Sequence, residues 1–404
     1  MLVVSSDTFP PTRVDLTVLF GVEIARRGHV VDWLLQSEAP CARARVVEWG
    51  SGRIWVGATD HGPSLLRRVR KHLLGIANDL RLLSRLRRDR YDAIEVKDKF
   101  LSGPLALIAS RLFGIRFIYW LSYPFPEHYL LRAADGTARF PMLYRWRGLA
   151  FKILLYKILL RAADHVFVQS EQMREDIAKE GIPLDKMTAV PMGVDAALCS
   201  LDDLSAERSV LPAAVPSIVY LGTLVQVRRL DFLVRAFALV RAAVPAARLF
   251  FVGRGDDPSD EIFLQKEVAR LGLEDSVLFV GQRPQQEALR YVREADVCVS
   301  PFYPTPILRS ASPTKLVEYM ALAKAVVAND HPEQKRVIDE SGAGYCVPWE
   351  EAAFAEAIVK LIRNPEEARA MGRRGREYVL AHRVYGPIAS MVETRLLDVI
   401  ERRR

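Results

Sequence analysis

The sequence is poor in cysteine, has no long uncharged apolar run and carries fewer acidic than basic residues. Its four cysteines are scattered without a Cys-x-x-Cys pair, so we expect small core residues in a reducing compartment rather than a disulfide framework or a zinc site. No uncharged apolar run reaches about 18 residues, and a transmembrane helix is therefore not expected. The first residues, MLVVSSDTFPP, lack the basic start and apolar core of a signal peptide.

The remaining composition is that of a globular chain with a cationic surface. Half of the 404 residues are hydrophobic and 26% are charged, which is typical of a soluble globular protein. A chain of this length exceeds one ordinary core, so two domains of about 200 residues are expected. The formal net charge of +8 favours an anionic partner, whether a membrane surface, a nucleic acid or a phosphorylated substrate.

The first half opens with the pattern of a βαβ unit. A short apolar run, MLVVSS, is followed by a loop over 7–15, a helical stretch over 16–27 and a second strand, VVDWLLQ. Open α/β sheets bind ligands at the carboxyl ends of such strands. Further strands are predicted at 94–98, 117–121 and 166–170.

In the second half, strands and helices alternate regularly, which predicts a doubly wound parallel sheet. Its strands are predicted to be SIVYLG, RLFFVG, VLFVG, VCVSP, AVVAN and YCVPW, beginning at residues 217, 248, 277, 297, 325 and 345. Residues 196–215 show little periodic pattern and are interpreted as a linker between two domains.

Two segments of the first half combine basic and apolar side chains. Residues 65–90 hold a run of arginines and lysines with an apolar stripe at helical spacing, and residues 139–163 mix aromatic, aliphatic and basic residues. Both segments can lie on an anionic membrane surface. The alternative is a solvated cationic face above a stripe that packs on the core. Nucleic acid is not expected, because no aromatic interleaving or binding motif accompanies the charges.

The segment SPTKLVEYMALAKAVVAND, residues 312–330, predicts a turn, a short helix and a buried strand. Ser312 is a favourable N-cap, and Pro313 suits the first helical position. The free N–H groups and the dipole of a helix start attract an anion, Lys315 adds a full charge, and Glu318 follows on the same face. This arrangement suits a ligand with phosphate at one end and hydroxyls at the other, such as a nucleotide sugar. The alternative is a capped surface helix with an i,i+3 ion pair.

Other groups of the second half fall at carboxyl ends of predicted strands, and therefore at the same sheet edge. Glycine backbone, basic side chains and a helix start are expected to meet there, as a diphosphate requires. The residues concerned are Gly222, Thr223, Arg228, Arg229, Gly253, Arg254 and Lys315.

These motifs resemble glycosyltransferase family 4, the retaining enzymes of GT-B fold. The resemblance covers essentially the whole chain and is carried by GTLVQVRRLDFLVRAF, LFFVGRG, VLFVGQRP, SPTKLVEYMALAKAVVAND and, in the first half, VFVQSE and VPMGVD. It implies an α/β protein of two Rossmann-like domains facing each other across a cleft. Residues 1–195 would bind the acceptor and residues 216–385 the nucleotide sugar, with 386–404 a helix packing back towards the N-terminal domain.

The resemblance also implies roles for individual residues. Arg228 stands where the family has its diphosphate-binding lysine, Lys315 at the phosphate-facing helix start, and Glu318 at the glutamate that binds the ribose hydroxyls. The sequence departs from the family at Ser310, where the first glutamate of a pair is usual, and at Thr223, where an arginine is frequent. The other implied donor contacts are Gly222, Arg229, Gly253, Arg254, Arg283, Ser312 and Thr314.

On the acceptor side, Asp98 is our candidate carboxylate, because it ends a predicted strand. Arg228 and Lys315 would stabilise charge on the departing phosphate without a metal, so neither a metal nor a cofactor is expected, and the acceptor would attack from the front face. The remaining acceptor-side candidates are Thr12, Arg13, Asp15, Lys99, Tyr123 and His128.

The predicted function is transfer of a sugar from a nucleotide-diphosphate sugar to a hydroxyl of a lipid-linked or growing glycan acceptor. The expected setting is bacterial exopolysaccharide or envelope assembly, in the cytoplasm or peripherally on the cytoplasmic face of the inner membrane. Two alternatives stay open, a nucleotide-sugar epimerase of the same fold and a non-catalytic nucleotide-sugar-binding protein. Donor consumption without an acceptor would identify the first, and binding without turnover the second.

Overall fold

The computed structural model forms two compact units. The N-terminal unit comprises Met1–Met192 together with Tyr385–Arg404, and the C-terminal unit comprises Gly193–Val384. The predicted linker, 196–215, falls within the C-terminal unit, and its residues 200–208 lie outside the described part of the chain. Besides these, the residues that the structure does not describe are 42, 61, 63, 137, 403 and 404.

The N-terminal unit is built on an eight-stranded sheet. Its strands are β1 (Leu2–Phe9), β2 (Asp32–Ser37), β3 (Arg45–Trp49), β4 (Gly52–Gly57), β5 (Ala93–Lys97), β6 (Arg116–Leu121), β7 (His165–Val168) and β8 (Met187–Ala189). They lie in the order β3-β4-β2-β1-β5-β6-β7-β8, and every neighbouring pair is parallel except β3 with β4. The chain winds outwards in one direction from β1 and in the other from β5, so these two strands form a topological switch point.

Helices cover both faces of this sheet. They are a π-type helix (Asp15–Ile24), α1 (Leu65–Arg88), α2 (Ser102–Phe113), α3 (Phe125–Ala134), α4 (Pro141–Lys152), which continues through a π-type segment (Ile153–Leu159) into α5 (Leu160–Ala162), and α6 (Glu171–Lys179). Side chains at alternate positions of a strand point to opposite faces of the sheet, so they pack into two separate hydrophobic cores. Trp33 and Trp120 pack with the first π-type helix, whereas Phe117 and Tyr119 pack with α1, α2 and the Ile153–Leu159 segment.

The C-terminal unit holds a six-stranded, wholly parallel sheet. Its strands are β9 (Ser217–Leu221), β10 (Arg248–Val252), β11 (Val277–Gly281), β12 (Val297–Ser300), β13 (Val326–Asn329) and β14 (Gly344–Val347). Their order, β11-β10-β9-β12-β13-β14, places the switch point between β9 and β12. The central strands are near-continuous apolar runs because helices bury both of their faces.

Helices alternate with these strands as the sequence predicts. They are α7 (Asp231–Ala243), α8 (Pro258–Arg270), α9 (Gln285–Glu294), α10 (Thr314–Ala321), α11 (Pro332–Ser341), α12 (Glu351–Arg363) and α13 (Pro365–His382). The last helix, α14 (Tyr385–Glu401), belongs to the N-terminal unit, where Ile388 and Val392 join the Trp33 core.

The predicted fold class, two parallel-sheet α/β domains, is confirmed. One prediction is wrong in detail, because β1 continues to Phe9 and takes up part of the predicted loop 7–15. The register shift between Val4 and Thr8 explains this, since pairing with β2 resumes beyond the irregularity.

Candidate functional site

The predicted donor residues of the C-terminal unit meet at the switch point between β9 and β12. Gly222 follows β9, Gly253 follows β10, and α10 begins on the chain that leaves β12. Both glycines have positive φ, +144° and +139°, and a Cβ on Gly253 would lie 2.1 Å from the Gly222 carbonyl oxygen. Only glycine therefore permits this approach of two backbone segments.

Lys315 lies in the first turn of α10 and is 8% exposed. Its Nζ donates a hydrogen bond to the Tyr220 hydroxyl (2.8 Å) and lies 4.1 Å from the centre of the Tyr220 ring. A Cβ on Gly222 would stand 3.3 Å from the same Nζ. Burial first, and the charge of Arg228 second, lower the pKa of Lys315 well below its usual value.

Arg228 completes a small cationic cluster around Tyr220. Its Nε donates to Thr223 Oγ1 (2.9 Å), and its charge opposes the burial that raises the pKa of Tyr220 to about 12. The Tyr220 hydroxyl in turn donates to the Thr223 carbonyl oxygen (3.1 Å). Two basic groups thus lie close enough for the charge of Arg228 to lower the pKa of Lys315. An anion bound between them would relieve this repulsion.

Glu318 lies one turn along α10 from Lys315, and burial raises the pKa of its carboxyl to about 7. The i,i+3 ion pair with Lys315 that the alternative interpretation of this helix requires does not form, since within the described part of the chain no basic group lies within 4 Å of that carboxylate. The prediction that Ser312 caps the helix is also wrong. Pro313 occupies the cap position and the helix begins at Thr314, because Pro313 has a non-helical ψ of 77°.

The remaining predicted donor residues make no contact described above with Lys315 or Tyr220. Arg229 is held by Asp231 through two hydrogen bonds of 3.0 and 2.9 Å. Arg254 is exposed, and Arg283 forms an ion pair with Glu287 (3.6 Å). Ser310 is buried, whereas Ser312 and Thr314 are half-buried along the loop that leads into α10.

A cavity of about 330 Å³ lies at the carboxyl ends of β12 and β13, next to that loop. Arg309 and His331 line it. His331 binds the Leu308 carbonyl oxygen through Nε2 (2.7 Å), while its buried Nδ1 has no partner among the described residues. Polar groups therefore line a space large enough for a small ligand part beside Ser310.

In the N-terminal unit, the switch point between β1 and β5 holds a buried charge network. Lys97, fully buried at the end of β5, contacts Asp7 (3.0 Å) and Asp15 (2.9 Å). Arg13 binds Asp15 through two hydrogen bonds of 3.0 and 2.9 Å and donates to Ser122 Oγ (3.3 Å). The two cations keep the pKa of Asp15 below its usual value despite burial, which opposes them.

Asp98 follows Lys97 and adopts a left-handed backbone, with φ of +54°. Its carboxylate accepts hydrogen bonds from the Ser122 backbone N–H (2.9 Å) and from the Ser122 hydroxyl. Burial raises its pKa, although Lys97 and Ser122 oppose that shift. The structure therefore brings Asp98, Arg13 and Asp15 to one edge, with Ser122 as the link.

The other acceptor-side candidates flank this network. Tyr123 Oη lies 2.9 Å from His128 Nδ1 at the start of α3. Lys99 is paired with Asp79 of α1 (2.5 Å), and Thr12 is exposed.

The sequence interpretation missed three residues of these two sites, namely Asp7, Lys97 and Tyr220. Lys97 had a visible signal, because a lysine inside the strand pattern AIEVK needs a buried counter-charge. Tyr220 had none, since an aromatic residue in an inner strand is ordinary core composition.

The described residues contain neither a candidate metal centre nor a candidate membrane-spanning helix. No cluster of three or more histidine, cysteine or acidic side chains with the geometry of a metal site is found there. In the same residues, no helix has the length and apolar character needed to cross a bilayer.

Comparison with known proteins assigns both halves of the chain to described domain families. Residues 19–193 match the family model "Glycosyl transferase 4-like domain", and residues 215–364 match "Glycosyl transferases group 1". The amylovoran biosynthesis glycosyltransferase AmsK of Erwinia amylovora is 26% identical over 192 residues, covering 46% of this chain and 44% of that protein. The chain spans about half or less of the length of the first curated relatives that it matches.

Solved structures resemble the whole chain. Sucrose-phosphate synthase from Thermosynechococcus elongatus has a TM-score of 0.75 at 22% identity, with 99% of each chain covered. Anabaena HepE, solved in complex with UDP-glucose, has a TM-score of 0.69 at 17% identity, with 98% of this chain and 99% of that chain covered. At these identities the likeness establishes the fold, which is GT-B.

Proposed function

Because this chain belongs to glycosyltransferase family 4, we propose that it moves a sugar from a nucleotide-diphosphate sugar to a hydroxyl group of an acceptor. The acceptor that we propose is a lipid-linked or growing glycan, and the transfer retains the anomeric configuration. Similarity to a biosynthetic glycosyltransferase for the exopolysaccharide amylovoran supports this acceptor class. A lipid-linked acceptor would place the protein peripherally at the cytoplasmic face of a membrane.

One observation carries the proposal, the cationic pair of buried Lys315 and half-buried Arg228 beside Tyr220. Negative charge grows on the phosphate oxygens as the nucleoside diphosphate leaves, and preorganised donors stabilise such charge most strongly where water is excluded. Lys315, Arg228 and the free N–H groups at the start of α10 are such donors. Gly222 places no side chain beside them, where a Cβ would stand 3.3 Å from the Lys315 Nζ.

Glu318 suits the other end of the donor. Its carboxylate is half-buried and forms no ion pair within the described part of the chain, so it can accept hydrogen bonds from ribose hydroxyls. UDP-glucose in the structurally similar HepE supports a nucleotide sugar as the ligand of this fold.

Asp98 remains our candidate for the acceptor side. It stands at the N-terminal unit's switch point, where open α/β sheets bind ligands. Ser122 holds both of its oxygens, so the carboxylate is oriented before an acceptor arrives. We propose that it accepts a hydrogen bond from the attacking hydroxyl.

A thermal-shift panel of UDP-, GDP-, ADP- and dTDP-sugars tests the donor site. A ligand that binds the folded state raises the melting temperature by an amount set by its concentration relative to Kd. We expect a shift with one nucleotide class that is lost in Lys315→Ala and retained in Lys335→Ala, a control at an exposed lysine of α11. No shift with any donor would overturn the proposal. Donor turnover without an acceptor would indicate an epimerase instead.

A further inference from the structure

Helix α1 turns an apolar stripe towards solvent. Leu66, Val69, Leu73, Ile76 and Leu80 recur at intervals of three and four residues, and all five are exposed, Leu66 by 83%. In a surface helix such a stripe normally packs on the core. The stripe of α1 does not pack on the core. The sequence alone could not distinguish a stripe that packs on the core from one that faces solvent.

The opposite face of α1 is the one that packs on the unit. Gln36 Nε2 donates to the Lys71 carbonyl oxygen (3.3 Å), and Asn78 Nδ2 donates to the Leu35 carbonyl oxygen (3.1 Å). Residues 71 and 78 lie about 180° around the helix from the middle of the apolar stripe, at roughly 100° per residue. The core contacts of α1 are thus made by the face opposite the apolar stripe, and the stripe itself remains exposed to solvent.

The first half of α1 also lies at the carboxyl end of the sheet. Asp79 binds Lys99, two residues after β5, and Ser102, the first residue of α2, so Asp79 lies near the carboxyl end of β5. From Asp79 the helix runs on to its last residue, from which the chain enters the amino end of β5. The turns before Asp79 extend in the opposite direction, roughly 20 Å beyond the carboxyl end of β5 at about 1.5 Å per residue. The exposed stripe therefore lies on the side of the unit that holds the acceptor-side candidates.

Helix α4 and its π-type continuation carry a second exposed stripe in the same unit. Met142, Trp146, Leu149 and Ile153 follow one another at intervals of four, three and four residues, and Trp146 is 66% exposed. The helix packs on α3, which begins directly after Tyr123 at the carboxyl edge. Both stripes belong to helices that cover the same face of the sheet, with α2 in contact with each helix.

Basic side chains flank both stripes. Arg70 is exposed beside the α1 stripe, and Arg145 and Lys157 are exposed beside the second stripe. Arg70 also pairs with Asp60 (3.3 Å) and Lys157 with Glu180 (3.8 Å). A second copy of this chain on the same face would bring these like charges together, which is unfavourable. An anionic bilayer offers apolar chains to the stripes and negative headgroups to their flanks.

From this geometry we propose that the α1 and α4 stripes form a docking face for an anionic lipid bilayer. The stripes enter the interface between headgroups and acyl chains, and the arginines and lysines bind the headgroups. The proposal deepens the proposed function, since it rests on a lipid-linked acceptor reaching the edge where Asp98 and Tyr123 lie. Docking would hold that edge next to the membrane surface.

Vesicle sedimentation tests this face in the full-length protein. Vesicles of phosphatidylcholine alone are compared with vesicles that contain phosphatidylglycerol, at low and at high salt, with wild type, Leu73→Glu, Trp146→Glu and the double variant. Both positions are exposed, so the variants are expected to keep the wild-type melting temperature. Ile262→Glu is the matched control, because Ile262 is an exposed apolar residue of α8 in the C-terminal unit.

We expect wild type and Ile262→Glu to bind the anionic vesicles, with affinity that falls as salt rises. Each stripe variant should bind at least about tenfold more weakly, because a charge replaces an inserted apolar group. Equal binding by wild type and the double variant, or no binding by wild type, would overturn the proposal. Self-association that the same variants abolish would assign the face to a second copy instead. The donor-induced thermal shift is measured without vesicles, so its outcome is independent of this one.

Discussion

Replacing Lys315 by methionine is expected to stabilise the C-terminal unit while it removes donor binding. Lys315 is buried, its Nζ hydrogen-bonds the Tyr220 hydroxyl, and within the described residues no carboxylate lies within 4 Å of it. Its lowered pKa reflects this desolvation and the nearby charge of Arg228. A methionine keeps the apolar stem and removes the ammonium group, so packing is preserved and the buried charge is lost.

Two terms decide the sign of the change in unfolding free energy. Loss of the hydrogen bond to Tyr220 costs about 1 kcal/mol. An ammonium group held out of water without a counter-charge costs several kcal/mol, and the methionine removes that cost. We therefore expect the variant to be about 2 kcal/mol more stable, which corresponds to a melting temperature roughly 4–8 °C higher for a unit of this size.

The gain should also depend on pH. The folded-state pKa of Lys315 is lowered, so between that value and its ordinary pKa of 10.5 the unfolded state binds more protons than the folded state. Wild type therefore regains stability as pH rises through this window, and the advantage of the methionine variant shrinks. It should be largest at and below the lowered pKa.

Urea and thermal unfolding of wild type, Lys315→Met and Lys335→Met measure these differences. Lys335 is exposed and paired with Asp339, so its substitution should leave the melting temperature unchanged. The donor panel is repeated on each protein. If Lys315→Met proves less stable than wild type, the lysine contributes to folding rather than to an anion site, and the reasoning fails.

Three further predictions concern other parts of the molecule. His165, whose Nε2 lies 2.9 Å from Thr188 Oγ1, has a pKa lowered to about 4, mainly by burial. Because histidine in the unfolded chain titrates near pH 6.5, wild type should lose about 3 kcal/mol relative to His165→Asn as pH falls from about 7 to 4. Identical pH dependence of unfolding in the two proteins would contradict this. Gly253→Ala should abolish the donor-induced thermal shift, because its Cβ would meet backbone at 2.1 Å. Gly272→Ala, which has open space around it, should only lower stability by about 1 kcal/mol and keep the shift; equal behaviour of the two alanine variants would count against a built site. Asp98→Asn should keep the donor shift, since asparagine tolerates a positive φ, and should lose transfer activity in a radiolabelled-sugar assay. Undiminished transfer would remove Asp98 from the site.

The fold could be predicted because its inner strands have a recognisable local sequence pattern. Runs such as RLFFV are apolar at every position, as only a strand buried on both faces can be, and helical patterns separate them. The strand end at Phe9 could not be predicted, since it depends on pairing with β2 after an irregularity in register. Local sequence does not encode that long-range pairing.

The site was only partly predictable for a related reason. A glycine after a strand and a lysine after a helix start are local features, and both are identified in the sequence analysis. The partner of Lys315 is Tyr220, 95 residues earlier in the chain, and the partner of Lys97 is Asp15, 82 residues earlier. Only the parallel sheet order brings such pairs together.

The two buried lysines, Lys97 and Lys315, differ in how the fold pairs their charges, and this difference favours Lys315 as the residue that contacts the proposed donor. Both stand at switch points of parallel sheets and both are buried. Lys97 has Asp7 and Asp15 within 3.0 Å, so its charge is compensated within the fold. Lys315 has a phenol and another cation as neighbours, and Glu318, one turn along α10, is the carboxylate that acts on its charge without forming an ion pair with it in the described part of the chain. A buried charge is tolerated when something pairs with it, and the phosphates of the proposed donor would supply such a partner to Lys315.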